Sequence, residues 1–380
     1  MSGIALILVG MGHDVTGTDV VATAVVPRLV AAGVQVEIVA AAELFSNAKA
    51  HEPDLVAHST AFPPSSADVV AAREQGIEVF SRAEILAGIC ANRRTVAVSG
   101  THGKTTTSSM LAKVLVDTGH RPSYLIGGEL RDLGDGAVWD EGEWFVVEAD
   151  ESDGTFVVLG AEIAVVTSVE ADHLDHYGTM AEIEQAFGRF LAEAPGPNVV
   201  CLDEPNAARL GAARSAITYG TGEGADYRIE DPSVDRSGVT FLVRGPPAVT
   251  ESNVRRKRSR YGPLAHEVGP VASGAELAAV SVRLQVPGLY NARNATAAVA
   301  TAAILGVPVA EAAKALAGYG GVVRRFEQRG SAFGASIVDD YAHNPGKVAA
   351  VLAAARAGAW DRIVAVFQPH RFSRTAALSR

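Results

Sequence analysis

The stretch TVAVSGTHGKTTTSSMLAKVL, Thr95 to Leu115, decides how the rest of the chain is read. It carries Gly103-Lys104-Thr105, the tail of a phosphate-binding loop. The usual pattern places another glycine five residues before Gly103, and Val98 stands there instead. Context favours the loop. A strand, TVAVS, precedes it, and Thr105 to Val116 follows as a helix. The amides of Gly103, Lys104 and Thr105 then sit at a helix N-terminus, where N–H groups lack internal acceptors and attract phosphate. Gly100 can supply the turn that the missing glycine normally makes. Lys104 is then expected to reach the β- and γ-phosphates of a nucleotide, and the Thr105 hydroxyl to meet Mg²⁺. The plain alternative is an ordinary glycine-rich strand-to-helix turn.

Two downstream runs support a nucleotide site. Trp144–Ala149 reads as a strand running into Glu148-Ala-Asp150-Glu-Ser-Asp153, and Ile163–Val169 as another running into Glu170-Ala-Asp172-His173-Leu-Asp175-His176. Ligands of open α/β sheets gather at the carboxyl ends of strands, so both acidic clusters are expected on the edge that carries the loop. Hard oxygen donors suit Mg²⁺, with His173 adding a nitrogen. A zinc hydrolase reading of DHLDH is the alternative, but no third ligand stands at a familiar spacing.

Working outward, strand-length apolar runs alternate with helical stretches, the pattern of parallel α/β layers. Ile4–Val9 reads as a helix, His13–Asp19 as a strand, Val20–Ala32 as a helix, Val34–Val39 and Asp54–Ser59 as strands, Asp68–Gln75 as a helix and Ile77–Phe80 as a strand. The chain thus opens on a helix where a doubly wound domain opens on a strand. Ala87–Arg94 reads as a linker, Ala181–Ala192 as a helix, Val199–Leu202 as a strand, and Leu289–Leu305 and Pro308–Leu316 as helices. Shorter strands are expected between Asp226 and Val286. VRRKRSR, Val254–Arg260, reads as a solvated loop or a docking point for an acidic partner. The last part holds two strand-like runs, Ala335–Val338 and Ile363–Phe367. Three units follow: 1–92, 93–319 and 320–380.

Bulk properties narrow the class. The 380 residues are 48% hydrophobic and 20% charged, as in globular proteins with a large core. A net charge of −10 argues against general nucleic-acid binding. No apolar run reaches the ~18 residues of a membrane helix, and no basic leader precedes the first apolar run. Cys90 and Cys201 lie far apart, which fits free thiols in a reducing cytosol.

GTHGKTTT, VEADESD, EADHLDHYG, PGLYNARNA, RRFE, DDYAHNP and FQPHRFSRT occur in that order. In this the chain resembles the Mur ligases, and within them the alanine-adding branch. The resemblance implies a three-domain α/β architecture: a Rossmann-like unit for the uridine substrate, a central P-loop ATPase unit and a C-terminal ligase unit. It implies ATP-dependent joining of L-alanine to UDP-N-acetylmuramate through an acyl phosphate, in peptidoglycan precursor synthesis. ATP would bind Gly100, Thr101, His102, Gly103, Lys104, Thr105 and Thr106, with Asn291 and Asn294 on the adenine side and Arg325 and Tyr341 from the third unit. Thr105, Glu148 and His173 would hold Mg²⁺. Asp19 and Ser59 match uridine-side positions, and Asp340 and His343 the motif that closes over the site. His102 would lie near the substrate carboxylate. His370, Arg371 and Arg374 would stabilise the transferring phosphate and the alanine carboxylate, a task suited to the planar fork of arginine. No lysine stands between His173 and Cys201, as expected for the alanine-adding branch.

Departures exist. Ser168 replaces an Asn, Tyr290 a His, and Asn344-Pro345-Gly346-Lys347 the usual HPTE. The family's first strand and glycine-rich loop are expected before Met1, and further third-domain strands after the last residue, so a truncated, ligation-incompetent fragment is one alternative. A ligase that recycles murein peptides is another, and a P-loop switch a third.

Overall fold

The computed structural model describes residues 1–39, 53–59, 65, 67–246, 254–259, 262–268, 278–370 and 375. The chain opens on helix α1 (Ser2–Gly10). Short strands β1 (Thr16–Asp19), β2 (Gln35–Ile38), β3 (Leu55–His58) and β4 (Glu78–Ser81) follow, with α2 (Val26–Ala31) and α3 (Ala67–Glu74). The strand and helix expected over residues 13–32 are shorter than that, because α2 starts only where Pro27 occupies its first turn. β1 pairs parallel with β2 and β3 parallel with β4, and among the described residues no ladder joins the two pairs.

α1 packs chiefly on the middle of the molecule. Ile4 and Ile7 are buried in the apolar cluster of the large sheet. Gly3 and Gly10 bring the helix close: a Cβ on Gly3 would stand 2.5 Å from Leu125 Cδ1, and one on Gly10 2.7 Å from Trp139 Cβ.

Residues 87–94 are not a linker. Helix α4 spans Arg82–Cys90 and opens on a reciprocal cap between Ser81 and Glu84. It buries Leu86, Ile89 and Cys90, the i, i+3, i+4 face of a helix. Only Ala91–Arg93 then separate it from β5 (Arg94–Ser99).

β5 lies inside a ten-stranded sheet. Helix α5 (Lys104–Asp117), β6 (Ser123–Leu125), β7 (Ala137–Val138), β8 (Trp144–Glu148) and β9 (Ile163–Val166) come next. α6 (Leu174–Tyr177), α7 (Met180–Glu193), β10 (Val199–Cys201), α8 (Pro205–Ala212), β11 (Ile217–Gly220), β12 (Tyr227–Asp235) and β13 (Gly238–Gly245) follow. Last are β14 (Val254–Ser259), β15 (Gly262–Val268), β16 (Ala278–Leu284), α9 (Leu289–Ile304) and α10 (Val309–Leu316). The sheet order is β16-β13-β12-β11-β10-β9-β5-β8-β6-β7. From β6 to β12 every neighbouring pair is parallel, which requires cover on both faces. Hence the central strands are continuous apolar runs. Val96 and Val98 face one core with α5 and α9, and Ala97 faces the other with α4 and α7. Alanines let α9 lie buried on nearly all sides beside α5.

The basic run is not a loop over Val254–Ser259. It pairs as β14 with β15, antiparallel, with Arg255 opposite Glu267. Arg260 lies outside the described residues. The third part holds the hairpin β17 (Glu327–Ala332) and β18 (Ala335–Asp339), then α11 (Pro345–Ala357). The run at Ile363–Phe367, expected as a strand, is in no sheet. No described strand offers it a ladder, and its side chains face solvent, Val366 at 96% exposure.

Ile7, fully buried between α1 and the middle sheet, should be a stability determinant. Ile7→Ala is expected to cost ~2–5 kcal/mol, read as a lower denaturation midpoint with folded-state circular dichroism unchanged.

Candidate active site

The loop from β5 to α5 answers the question set by Val98. Val98 is a buried strand residue, and the tight turn falls at Gly100. Gly100 has φ +138°. A Cβ there would collide with Thr167 Oγ1 and stand 2.8 Å from the Ser168 amide nitrogen. Gly103 begins the helix at φ +84°, with the position of a Cβ only 2.5 Å from Asn294 Oδ1. Both conformations favour glycine. The loop is stitched to the end of β9. The Thr101 amide donates to the Ser168 carbonyl (3.0 Å) and the His102 amide to Ser168 Oγ (2.9 Å). The Thr167 hydroxyl donates to the His102 carbonyl, and the Glu170 amide to Thr101 Oγ1 (2.9 Å). Ser168, a departure from the family pattern, thus holds the loop. The amides of Gly103, Lys104 and Thr105 donate to no protein group among the described residues.

β8 and β9 flank β5, Val98 opposite Glu148 and Ser99 opposite Val166, so both acidic clusters open on the loop's edge. Thr105 Oγ1 donates to Glu148 Oε1 (2.8 Å), whose other oxygen accepts from the Gly127 amide (2.7 Å). Lys104 Nζ donates to the Gly100 carbonyl (2.8 Å) and lies 2.6 Å from Glu151 Oε2. His173 Nε2 stands 3.7 Å from the other Glu151 oxygen. Burial alone would lower the Lys104 pKa, but the charges of Glu151, Asp150 and Glu148 outweigh it and raise it. Asp150 is lowered: burial opposes this, and Lys104 prevails. Among the described residues no three His, Cys, Asp or Glu groups cluster as a metal cage, so DHLDH has no partners for zinc. Mg²⁺ needs less, one or two protein oxygens beside phosphate and water, and the Thr105–Glu148 pair fits that demand.

The third part meets the loop directly. Asn344 caps α11 by accepting from the Lys347 amide (3.0 Å), and its Nδ2 donates to Asp172 Oδ2 (3.1 Å). A Cβ on Gly346 would stand 3.0 Å from both His102 Nε2 and Glu170 Oε2. These two atoms are themselves 3.0 Å apart, and the hydrogen bond from His102 holds Glu170 below its usual pKa. Lys347 is pushed down to about 8 by burial and by the charge of Lys104.

The remaining expected residues divide. Asn291 donates to the Pro287 carbonyl (2.7 Å), and Asn294 accepts from the Thr107 hydroxyl (3.4 Å), so both amides are buried beside the loop. Arg325 lies over the Tyr341 ring, 5.4 Å from its centroid. His343 lies between the Tyr341 and His370 rings at 5.0 and 6.2 Å. Asp340 accepts from the Phe326 and Ala342 amides (both 2.7 Å), bracing the segment around Arg325. Burial raises its pKa against those bonds. Asp19 is exposed at the end of β1, and Ser59 follows β3. Thr106 is buried in the first turn of α5. Arg371 and Arg374 lie outside the described residues. Sequence reasoning missed Glu151, Ser168, Glu170 and Lys347. Glu151 was visible in VEADESD, but Glu148 was chosen as the strand-end acid.

A phosphate loop at the centre of a parallel sheet, with acids on both neighbouring strands, defines a nucleotide-binding α/β enzyme of the P-loop class. Family models agree in detail: "Mur ligase family, catalytic domain" matches residues 1–94, "Mur ligase middle domain" 98–302 and "Mur ligase, glutamate ligase domain" 324–379. The chain belongs to the Mur ligase family. It is 40% identical over 383 residues to the UDP-N-acetylmuramate–L-alanine ligase of Rhizobium johnstonii, covering 100% of this chain and 75% of that protein. The ligase of the same name from Solidesulfovibrio magneticus is also 40% identical, with 76% of it covered. Among solved structures, the UDP-N-acetylmuramate–alanine ligase of Thermotoga maritima superposes with a TM-score of 0.76 at 26% identity, over 100% of this chain and 80% of that one. A murein peptide ligase of Psychrobacter arcticus gives 0.71 at 25% identity, over 95% and 75%.

Gly100→Ala should abolish nucleotide binding in a calorimetric titration and lower the melting temperature, since the turn cannot form without displacing Thr167. Lys347 supplies a pH test. Its depressed pKa means the unfolded chain holds the proton more tightly, so stability rises with pH from about 8 towards the ordinary 10.5. The stability difference between wild type and Lys347→Met should move in favour of wild type over that window.

Proposed function

We propose that this chain uses ATP to join the amine of L-alanine to the lactyl carboxylate of UDP-N-acetylmuramate, a step of peptidoglycan precursor synthesis. The observation that carries this reading is the phosphate loop with its buried Lys104, set in a chain that matches alanine-adding ligases at 40% identity along its whole length. The carboxylate attacks the γ-phosphate, ADP leaves, and the alanine amine then displaces phosphate from the acyl phosphate. Such transfers ask the protein for alignment and charge neutralisation more than for covalent chemistry.

In this reading the free amides of Gly103–Thr105 and the Lys104 ammonium hold the β- and γ-phosphates. His102, oriented by Glu170, faces the substrate carboxylate. Arg325 and His370 approach from the third part, with Arg371 and Arg374 following in sequence. Thr105 and Glu148 would hold Mg²⁺, with His173 nearby, and the ion would neutralise charge on the phosphate oxygens. Asp19 and Ser59 face the uridine end. Three units, 1–92, 93–319 and 320–380, enclose the reaction, and the α11 contacts on His102 and Asp172 exclude water that would hydrolyse an acyl phosphate. Buried thiols at Cys90 and Cys201 suit the cytosol, and among the described residues no helix is long and apolar enough to cross a membrane.

The test is ADP release measured with and without each substrate. Release should require UDP-N-acetylmuramate and L-alanine together, and Lys104→Ala should lower kcat/KM by ~10²–10³-fold. ADP release that ignores both substrates would favour a nucleotide switch, and a preference for a tripeptide over alanine would favour the recycling branch.

A further inference from the structure

Glu151 has a role that the ligation scheme does not use. It stands on the loop after β8, and its side chain is 4% exposed. Neither carboxylate oxygen accepts a well-aligned hydrogen bond. A buried carboxylate without donors is costly unless a cation compensates it. The compensating cation is Lys104, at 2.6 Å, with His173 at 3.7 Å on the other oxygen. Tyr177 holds the Glu151 backbone in place by donating to its carbonyl. Lys347, on α11, is acted on by burial and by the charges of Lys104, Asp172, Arg325 and Glu151, so it belongs to the same charged cluster. The carboxylate is therefore the anion that sits against the Lys104 ammonium in a mixed-charge pocket.

An ammonium has three donors. The Gly100 carbonyl takes one from Lys104, and Glu151 Oε2 lies 2.6 Å from the same nitrogen. A polyphosphate arriving at the loop meets a lysine already neutralised and a buried negative charge beside it. We infer that Glu151 is a positioning residue that occupies the phosphate position at Lys104 in the nucleotide-free protein, so that ATP binds by exchange with an internal carboxylate. Glu151 keeps a buried lysine charged and correctly placed between turnovers. It also weakens nucleotide binding, which favours ADP release.

This inference rests on the proposed ATP site, and the test separates the two. ADP affinity is measured by calorimetry without metal, and melting temperature with and without ADP, for wild type, Glu151→Gln and Glu151→Asp. Glu151→Gln should bind ADP at least about tenfold more tightly, because a unit charge a few ångströms away acts strongly even at the effective dielectric of a protein surface. Its ligand-free melting temperature should fall and its ADP-induced shift should grow. In turnover, KM for ATP should fall more than kcat. Glu151→Asp keeps the charge but draws it back from Lys104, and should show a smaller gain in affinity. If Glu151→Gln fails to fold, the Asp variant decides. Unchanged or weaker ADP binding by the folded variants, with normal binding by wild type, overturns this inference alone. No ADP binding by wild type overturns the site as well.

Discussion

The end of β9 and the turn at Gly100 approach so closely that no side chain fits between them. Everything else at the site hangs on this approach. It brings the loop backbone within reach of Thr167 and Ser168, whose hydroxyls and carbonyl fix residues 101 and 102. The helix that follows is thereby aimed, and among the described residues its first amides have no protein acceptors. The strand order converts this local fit into a site, because β8 and β9 lie on either side of β5 and deliver their acids to the same edge.

Charge is the second constraint. The edge carries Glu148, Asp150, Glu151, Glu170 and Asp172 against Lys104, His102, His173 and Lys347. Side chains here pair with one another: His102 with Glu170, Thr105 with Glu148, Lys104 with Glu151. Unpaired charges in so sheltered a place would cost several kcal/mol each. These partnerships offset much of the cost of burying the charges, and a polyanion must rearrange them to enter.

The central sheet was the most legible part of the chain. Strands covered on both faces must be apolar throughout, so TVAVS, WFVV and IAVV announced themselves, and each ended where polar residues began. The loop was legible through Gly103-Lys104-Thr105 despite the missing glycine, since Gly100 does that work two residues later. Other features depended on partners distant in sequence. Ile363–Phe367 has a strand's composition but no neighbour to pair with among the described residues, whereas Val254–Ser259 looks like a solvated run and gains a ladder from Gly262–Val268. Glu148 ends β8 and Glu151 lies on the loop three residues on, and only the backbone path shows which one faces Lys104. Lys347 reaches the loop because Asn344 bonds to Asp172, 172 positions earlier in the chain. The reading of residues 87–94 as a linker failed for a local reason, since the Ser81–Glu84 cap was present and was passed over.

Helix α1 belongs by connectivity to the small parallel strands and by packing to the large sheet. Among the described residues the backbone therefore passes between the two bodies twice, once at residues 11–15 and again between Ser81 and Arg82, and the Arg28–Asp135 ion pair spans the same boundary. A single covalent tether permits swivelling in any direction. Two tethers set apart leave essentially one axis, the line through both. Any opening of the body that carries β1 to β4 is thus confined to a swing about that line, and it would carry β1 and β3 along one arc relative to the phosphate loop.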